Sequence, residues 1–179
     1  MSEITTYSGI YFDPLKAEEK HIAIEDIAHS LSLLCRANGH VSHLYTVAQH
    51  CLNCRREAKA RGYSTELQLL CLLHDAAEAY LADVIRPIKD LLAEYQKEER
   101  KLMEFIWEKY LGRPAEAEEY EKVFQIDDEM LVYEFHTLMP MEIRDEAANL
   151  ISEPDIAFRN PREVEQEYLQ TFQQLIEHL

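Results

Sequence analysis

Apolar side chains recur at three- and four-residue intervals through most of this chain, the spacing that places them on one side of an α-helix. Ile27, Ala28, Leu31, Leu34 and Cys35 carry that pattern and predict a helix over 25–37, with Asn38-Gly39 as its stop. A second helix is predicted from about Thr46 to Arg61, ending at Gly62. Thr65 and Gln68 have the spacing of a capping box for a third, which carries Leu67, Leu70, Cys71 and His74 inward. Pro87 breaks the chain after Arg86, and a long charged helix follows over about 88–111, with Leu92, Met103, Ile106 and Trp107 as core contacts. Gly112 and Pro114 close it. Two more helices are predicted over 116–139, stopped by Pro140, and over 162–178. Before residue 25 the pattern is different. Gly9, Asp13 and Pro14 interrupt Tyr7, Tyr11 and Phe12, which predicts a short β-ribbon or an ordered arm.

Composition agrees with an all-α domain spanning 1–179. Only 4 glycines and 6 prolines serve 179 residues, too few for the turns of an all-β fold, and 47% of the side chains are hydrophobic, enough to fill a core. The formal charge is −16. It is concentrated late in the chain, where residues 121–179 hold four basic against fourteen acidic side chains, whereas residues 1–60 hold six against seven. Such a surface repels a phosphate backbone, so tight binding to nucleic acid is not expected. A small phosphorylated ligand is still compatible, because a local cationic pocket outweighs a distant field. No apolar run reaches the ~18 residues of a membrane span, and Met1-Ser2-Glu3-Ile4 lacks the basic and apolar regions of a signal peptide. A soluble, cytoplasmic protein without membrane association is expected. Cys35, Cys51, Cys54 and Cys71 sit among apolar residues and read as buried free thiols. Cys51-x-x-Cys54 has no second pair at finger-like spacing and no preceding strand, so it carries little redox or zinc signal.

The chemistry lies in where histidines and acids fall on the predicted helices. His50 follows Val47 by three and shares the inward stripe of Cys51 and Cys54. His74 follows Leu67 by seven and Cys71 by three, again on the buried side, and Glu78 comes one turn later on that face. Asp75 lies about 100° further round. Buried carboxylates are costly unless something neutralises them. A divalent cation does so, and it also takes the imidazole lone pairs. A fourth ligand has to come from a distant helix, and Asp127 and Asp128 are both candidates that periodicity does not separate.

Val47-Ala48-Gln49-His50, then His74-Asp75, then Ile126-Asp127 resembles the signature of the HD-domain phosphohydrolases, and the resemblance runs from Ile24 to about Pro140. His74-Asp75-Ala76-Ala77-Glu78 followed by Asp83-Val84-Ile85-Arg86-Pro87-Ile88-Lys89 is similar to the active-site stretch of the bacterial 5′-deoxynucleotidase branch, and to small phage-type enzymes that hydrolyse deoxynucleoside triphosphates. The resemblance implies an HD-domain helical bundle that hydrolyses phosphate esters of nucleotides, a small-molecule substrate. His50, His74, Asp75 and Asp127 would hold one divalent ion (manganese, cobalt, iron, nickel, zinc or magnesium), which favours Asp127 over Asp128. Glu78 would be the general acid/base for the attacking water. Arg36, fourteen residues before His50, matches an arginine that contacts phosphate; Lys89 and, more weakly, Arg86 fit the same task. Asp83 would contact the sugar or hold a water. A dimer or larger homo-oligomer is also implied. The chain departs from the deoxynucleotidase pattern at Ala37, where that branch has a tryptophan after the arginine, so the base and sugar contacts must differ.

Each of these residues has a plainer role open to it. Arg36 would suit the C-terminal end of a helix dipole, Lys89 a solvated first turn, and Glu78 a pairing with a neighbouring base. His40 and His43 read as solvent-facing or supporting residues, and His21, His29, His136 and His178 as structural or exposed. Besides a nucleotide hydrolase, two readings fit: an HD hydrolase of a cyclic nucleotide or sugar phosphate, and an inactive helical binding module that keeps its metal for structure.

Overall fold

The computed structural model describes residues 3–13, 16–139 and 148–179; the expectations at Met1-Ser2, Pro14 and Pro140 fall outside them. The ribbon expected at the start is present. Strands β1 (Ile4–Thr5) and β2 (Tyr11–Phe12) pair antiparallel, with Ile4 opposite Phe12. Asp26 fastens it to the bundle by accepting from Ser8 N (2.6 Å) and Ser8 Oγ (2.8 Å). Phe12 is fully buried against Tyr80.

The rest is helical: α1 (Ile24–Leu33), α2 (Val47–Ala60), α3 (Thr65–Leu73), the one-turn helices α4 (Glu78–Leu81) and α5 (Arg86–Lys89), α6 (Ala93–Leu111), α7 (Ala117–Leu138) and α8 (Pro161–Ile176). The central element is α3. Leu67, Leu69, Leu70, Cys71, Leu72 and Leu73 are all buried, so its apolar character runs right round the helix, and α2, α6, α7 and α8 pack about it. Tyr168 of α8 completes the enclosure by donating to the Leu72 carbonyl at 2.7 Å.

Helix boundaries follow local chemistry. Thr46 caps α2 in a reciprocal box with Gln49. The cap of α3 is Ser64, not Thr65: its hydroxyl accepts from Leu67 N, and Gln68 turns instead to the Tyr63 carbonyl. Gly112 ends α6 in the left-handed conformation (φ 78°). Where the apolar pattern predicted helix as far as Ala37, α1 stops at Leu33. Leu34 is extended, Cys35 bridges to Thr46, and Ala37-Asn38-Gly39 form a left-handed turn. An alternating stretch that pairs with the entry to α2 imitates helical spacing over so short a run.

Similarly, the helix predicted over 88–111 is two elements. Pro87 sits in the first turn of α5, and α6 begins only at Ala93. Met103, Ile106 and Trp107 are buried as expected, but Leu92 is 42% exposed because it lies in the turn between them. Cys51, Cys54 and Cys71 are buried free thiols, and Cys35 is only half-buried.

Residues 148–160 form an irregular strap along α2, held by Gln49, Asn53 and Glu57, which recur every fourth residue on one face. Gln49 Nε2 donates to the Ala157 carbonyl. Asn53 pairs with both the N–H and the carbonyl of Asp155. Glu57 accepts from Ile151 N, Ser152 N and Ser152 Oγ. No helix among the described residues is long and apolar enough to cross a membrane.

Candidate metal centre

Three segments deliver the cluster. His50 comes from the middle of α2, and Asp127 from the middle of α7. His74 and Asp75 follow the last residue of α3, where the chain tightens: Ala76 N bonds to the Leu73 carbonyl and Glu78 N to the Asp75 carbonyl. His74 and Glu78 thus stand on either side of a turn rather than on one continuous helix, and the turn aims Asp75 at the histidines as well.

The side chains meet closely. His50 Nε2 lies 3.1 Å from His74 Nε2, 3.0 Å from Asp127 Oδ1 and 3.8 Å from Asp75 Oδ2. His74 Nε2 lies 3.4 Å from Asp75 Oδ2 and 3.7 Å from Asp127 Oδ1. Behind the rings, His74 Nδ1 faces the Cys71 carbonyl at 2.8 Å, and His50 Nδ1 faces Glu134 Oε1 at 2.8 Å. Both partners accept only, so each Nδ1 must carry the hydrogen. Each neutral ring then presents an Nε2 lone pair to the other across 3.1 Å, with two carboxylate oxygens alongside. Lone pairs do not attract one another. Either a proton or a cation has to sit among them.

The electrostatics of the cluster point the same way. Burial and Arg36 push the His50 imidazolium down, but Glu134 and Asp127 outweigh them, and its pKa is raised. Burial likewise opposes charge on His74, yet Asp75 beside it holds its pKa well above the usual imidazole value. Burial works against ionising Asp127, but the hydrogen bonds from His50 and His74 hold it well below the usual carboxylate range. A divalent cation can replace those protons, taking both nitrogens and both carboxylates at once. The donor set fits the group. Cys54 Sγ is also only 3.6 Å from His50 Nε2, and Cys51 lies close enough to His74 and Asp75 to share an ion with them. Burial keeps these thiols protonated, Cys51 up to about 11 and Cys54 well above its usual value, so the carboxylates are the more available partners.

Of the two aspartates that periodicity left open, Asp127 points at the histidines with its side chain 13% exposed. Asp128 is 60% exposed and pairs outward with Arg86. A cleft of about 310 Å³ opens beside the cluster, lined by His74, Asp75, Glu78, Asp127, α5 and α6 residues, and Phe124. Glu78 is buried at its edge. Oε1 lies 3.5 Å from Lys89 Nζ, and Oε2 has no hydrogen-bond partner among the described residues. Burial, then Asp75 and Asp83, push its carboxyl well above the usual range. Lys89 and Arg86 both line the cleft, the first paired with Glu99 and the second with Asp127 and Asp128.

Arg36, expected at a substrate phosphate, lies beside the cluster. It is buried, with Nη1 3.4 Å from Asp75 and Nε 3.8 Å from Glu134, and it is not among the residues lining the cleft. Asp83 is half-buried in the loop after α4, its carboxyl raised by burial against the pull of Arg36. His43 bonds to the Ile156 carbonyl of the strap, and His29 stacks on Tyr7. The sequence reading missed Glu134, which is 1% exposed and accepts from both Tyr45 Oη (2.6 Å) and His50 Nδ1. Its signal was present: it follows Asp127 by seven, two turns along the same face of α7.

The HD domain family model matches residues 13–154, which contain every residue of the cluster. The chain belongs to the HD-domain family. HD domains bind divalent metals and are generally hydrolases. The chain is also similar to the uncharacterized protein YfdR of Escherichia coli (strain K12), 44% identical over 110 residues that make up 62% of this chain and 59% of that one. An uncharacterized protein of Rhodobacter capsulatus is 41% identical over 87 residues, 46% of this chain and 44% of the relative. The matched stretches thus span less than two thirds of either curated relative. The HD domain match ends before α8, which packs on α1, α2 and α3.

Proposed function

We propose that this HD-domain protein is a metal-dependent phosphohydrolase of (deoxy)nucleotides, with His50, His74, Asp75 and Asp127 as the ligands of one divalent ion. The observation that carries the reading is the pair of Nε2 atoms 3.1 Å apart, each ring fixed from behind at Nδ1, beside a cleft that Arg86, Lys89 and Arg100 help to line. A divalent ion held there would supply Lewis acidity and lower the pKa of a water towards ~7.

Around it the chain's own groups have separate tasks. Glu134 and the Cys71 carbonyl keep the two imidazoles in the tautomer that leaves Nε2 free. Arg36 holds Asp75 in place and is a positioning residue. Glu78 carries the proton. Burial, with Asp75 and Asp83, raises the pKa of its carboxyl, and positive charge beside Asp75 would offset part of that rise, leaving Glu78 able to accept a proton. Lys89 and Arg86 line the cleft where they can donate to phosphoryl oxygens. Asp83, in the loop after α4, would contact the sugar or hold a water.

The test is a panel assay of the metal-reconstituted protein against deoxynucleoside mono- and triphosphates, cyclic nucleotides and sugar phosphates. Phosphate release from monophosphates marks a nucleotidase; release of pyrophosphate or triphosphate marks the triphosphate activity. Turnover of cyclic nucleotides or sugar phosphates alone would replace the substrate class and keep the chemistry. No turnover of any ester by protein with a full complement of metal would leave an inactive binding module.

A further inference from the structure

The cleft extends beyond the groups that the hydrolysis needs, and its far wall is of a different kind. Gln96, Arg100 and Met103 recur at helical spacing on α6 and face Phe124 of α7 across the space. Phe124 precedes Asp127 by three residues, one turn or about 4.5 Å along the same helix. Phe124 is 40% exposed, although its ring stacks on Tyr120 (6.3 Å, 24°), which packs against the buried Trp107 (5.0 Å). Phe124 is therefore the open end of an aromatic column, held from behind with room in front. Arg100 lies exposed on the same wall and makes no ion pair among the described residues, whereas Arg86 and Lys89 are each engaged by carboxylates. Ala37, in its left-handed turn, is not among the residues lining the cleft.

We propose that Phe124 and Arg100 form the subsite for the leaving group of the substrate, and that they select a planar aromatic ring, a nucleobase, which stacks on Phe124. The proposal rests on the phosphohydrolase reading for the position of the phosphate and deepens it by naming what recognises the rest of the molecule. A separation of one helical turn suits a phosphate joined to a ring through a sugar. Aromatic faces accept any base, so the subsite separates nucleotides from sugar phosphates more sharply than one base from another.

Two variants test it, each checked by thermal melting. Phe124→Ala should bind dAMP roughly 5- to 150-fold more weakly than the parent protein by calorimetry, done without metal so that no turnover is involved. In the metal-loaded enzyme the preference for dAMP over 2-deoxyribose 5-phosphate, taken as the ratio of kcat/KM values, should fall by a similar factor, mainly through KM. Phe124→Trp should keep the preference and gain an exposed indole whose emission dAMP quenches and 2-deoxyribose 5-phosphate does not, against the buried Trp107 as a constant background. Unchanged dAMP affinity in Phe124→Ala, equal losses on the ringed and ringless esters, or no base-dependent quenching would each overturn the subsite. If the parent protein hydrolyses neither ester but Phe124→Ala still weakens dAMP binding, the hydrolase reading fails and the ring subsite stands.

Discussion

Helix α2 buries two sets of polar side chains, and they differ in whether their partners suit them. On one face Gln49, Asn53 and Glu57 meet the strap at 148–160, and the strap contacts are of donor to acceptor: Glu57 accepts from two backbone N–H groups, a hydroxyl and Arg61. On another face His50 meets His74, Asp75 and Asp127, where lone pair faces lone pair, while Glu78 Oε2 at the edge has no hydrogen-bond partner among the described residues. Both sets are largely hidden from water, although Asp75 and Asp127 keep a small exposed edge at the cleft. The first needs nothing more and serves architecture. The second is stable only with added protons or an added cation, and that need is what makes it a site.

Mutations on the two faces should therefore fail in different ways. The largest effect is expected at Glu78→Gln, which should lower kcat by about 10²–10⁴-fold while metal content, read by elemental analysis, stays at the parent value. Activity close to the parent level would remove Glu78 from the chemistry. On the other face, Glu57→Ala leaves the strap donors unpaired and Arg61 held only by Glu129 and the Asn149 carbonyl. It should cost about 3–5 kcal/mol in denaturant unfolding without changing metal stoichiometry. A variant that loses metal as readily as stability would erase the distinction between the two faces.

Glu134 lies behind the cluster, so Glu134→Ala should weaken metal binding by about 10–100-fold in a competition titration, and restoring a carbonyl acceptor with Glu134→Gln should recover part of it. Smaller still is a pH effect. The raised pKa values of His50 and His74 belong to the metal-free fold, so their stabilisation is complete below the ordinary value of 6.5 and is lost as pH rises through the raised values. A cation competes with those same protons. The gain in Tm on adding metal should therefore grow as pH rises above about 6.5 and shrink below it; a gain independent of pH would count against imidazole ligation. Asp128→Asn, one residue from the cluster but turned outward, should change stability by less than ~0.5 kcal/mol and leave metal content alone.

Much of this was legible before any coordinates. The three-to-four spacing of apolar residues located the long helices, and the scarcity of glycine excluded an all-β fold. His50, His74 and Glu78 stood out because each interrupts an apolar stripe on which a titratable group is costly. What escaped was of two kinds. Short elements misled: a few alternating residues after Leu33 look helical, and Pro87 hid a separate turn before α6. Roles that depend on what lies opposite also escaped, as with Glu134, 84 residues from the His50 whose Nδ1 it faces.

The sequence by itself determined which faces had to be buried and which polar groups were carried in with them, because burial follows from a residue's own chemistry and its place in a local period. The tertiary structure brought Asp127, which periodicity had not separated from Asp128 and the family resemblance favoured, to the histidines, and it alone decided that Arg36 backs the cluster and that Phe124 ends an aromatic column at the cleft. Those outcomes depend on the angle and register at which separate helices meet, and a helical period fixes directions around one axis while leaving the placement of the next axis free.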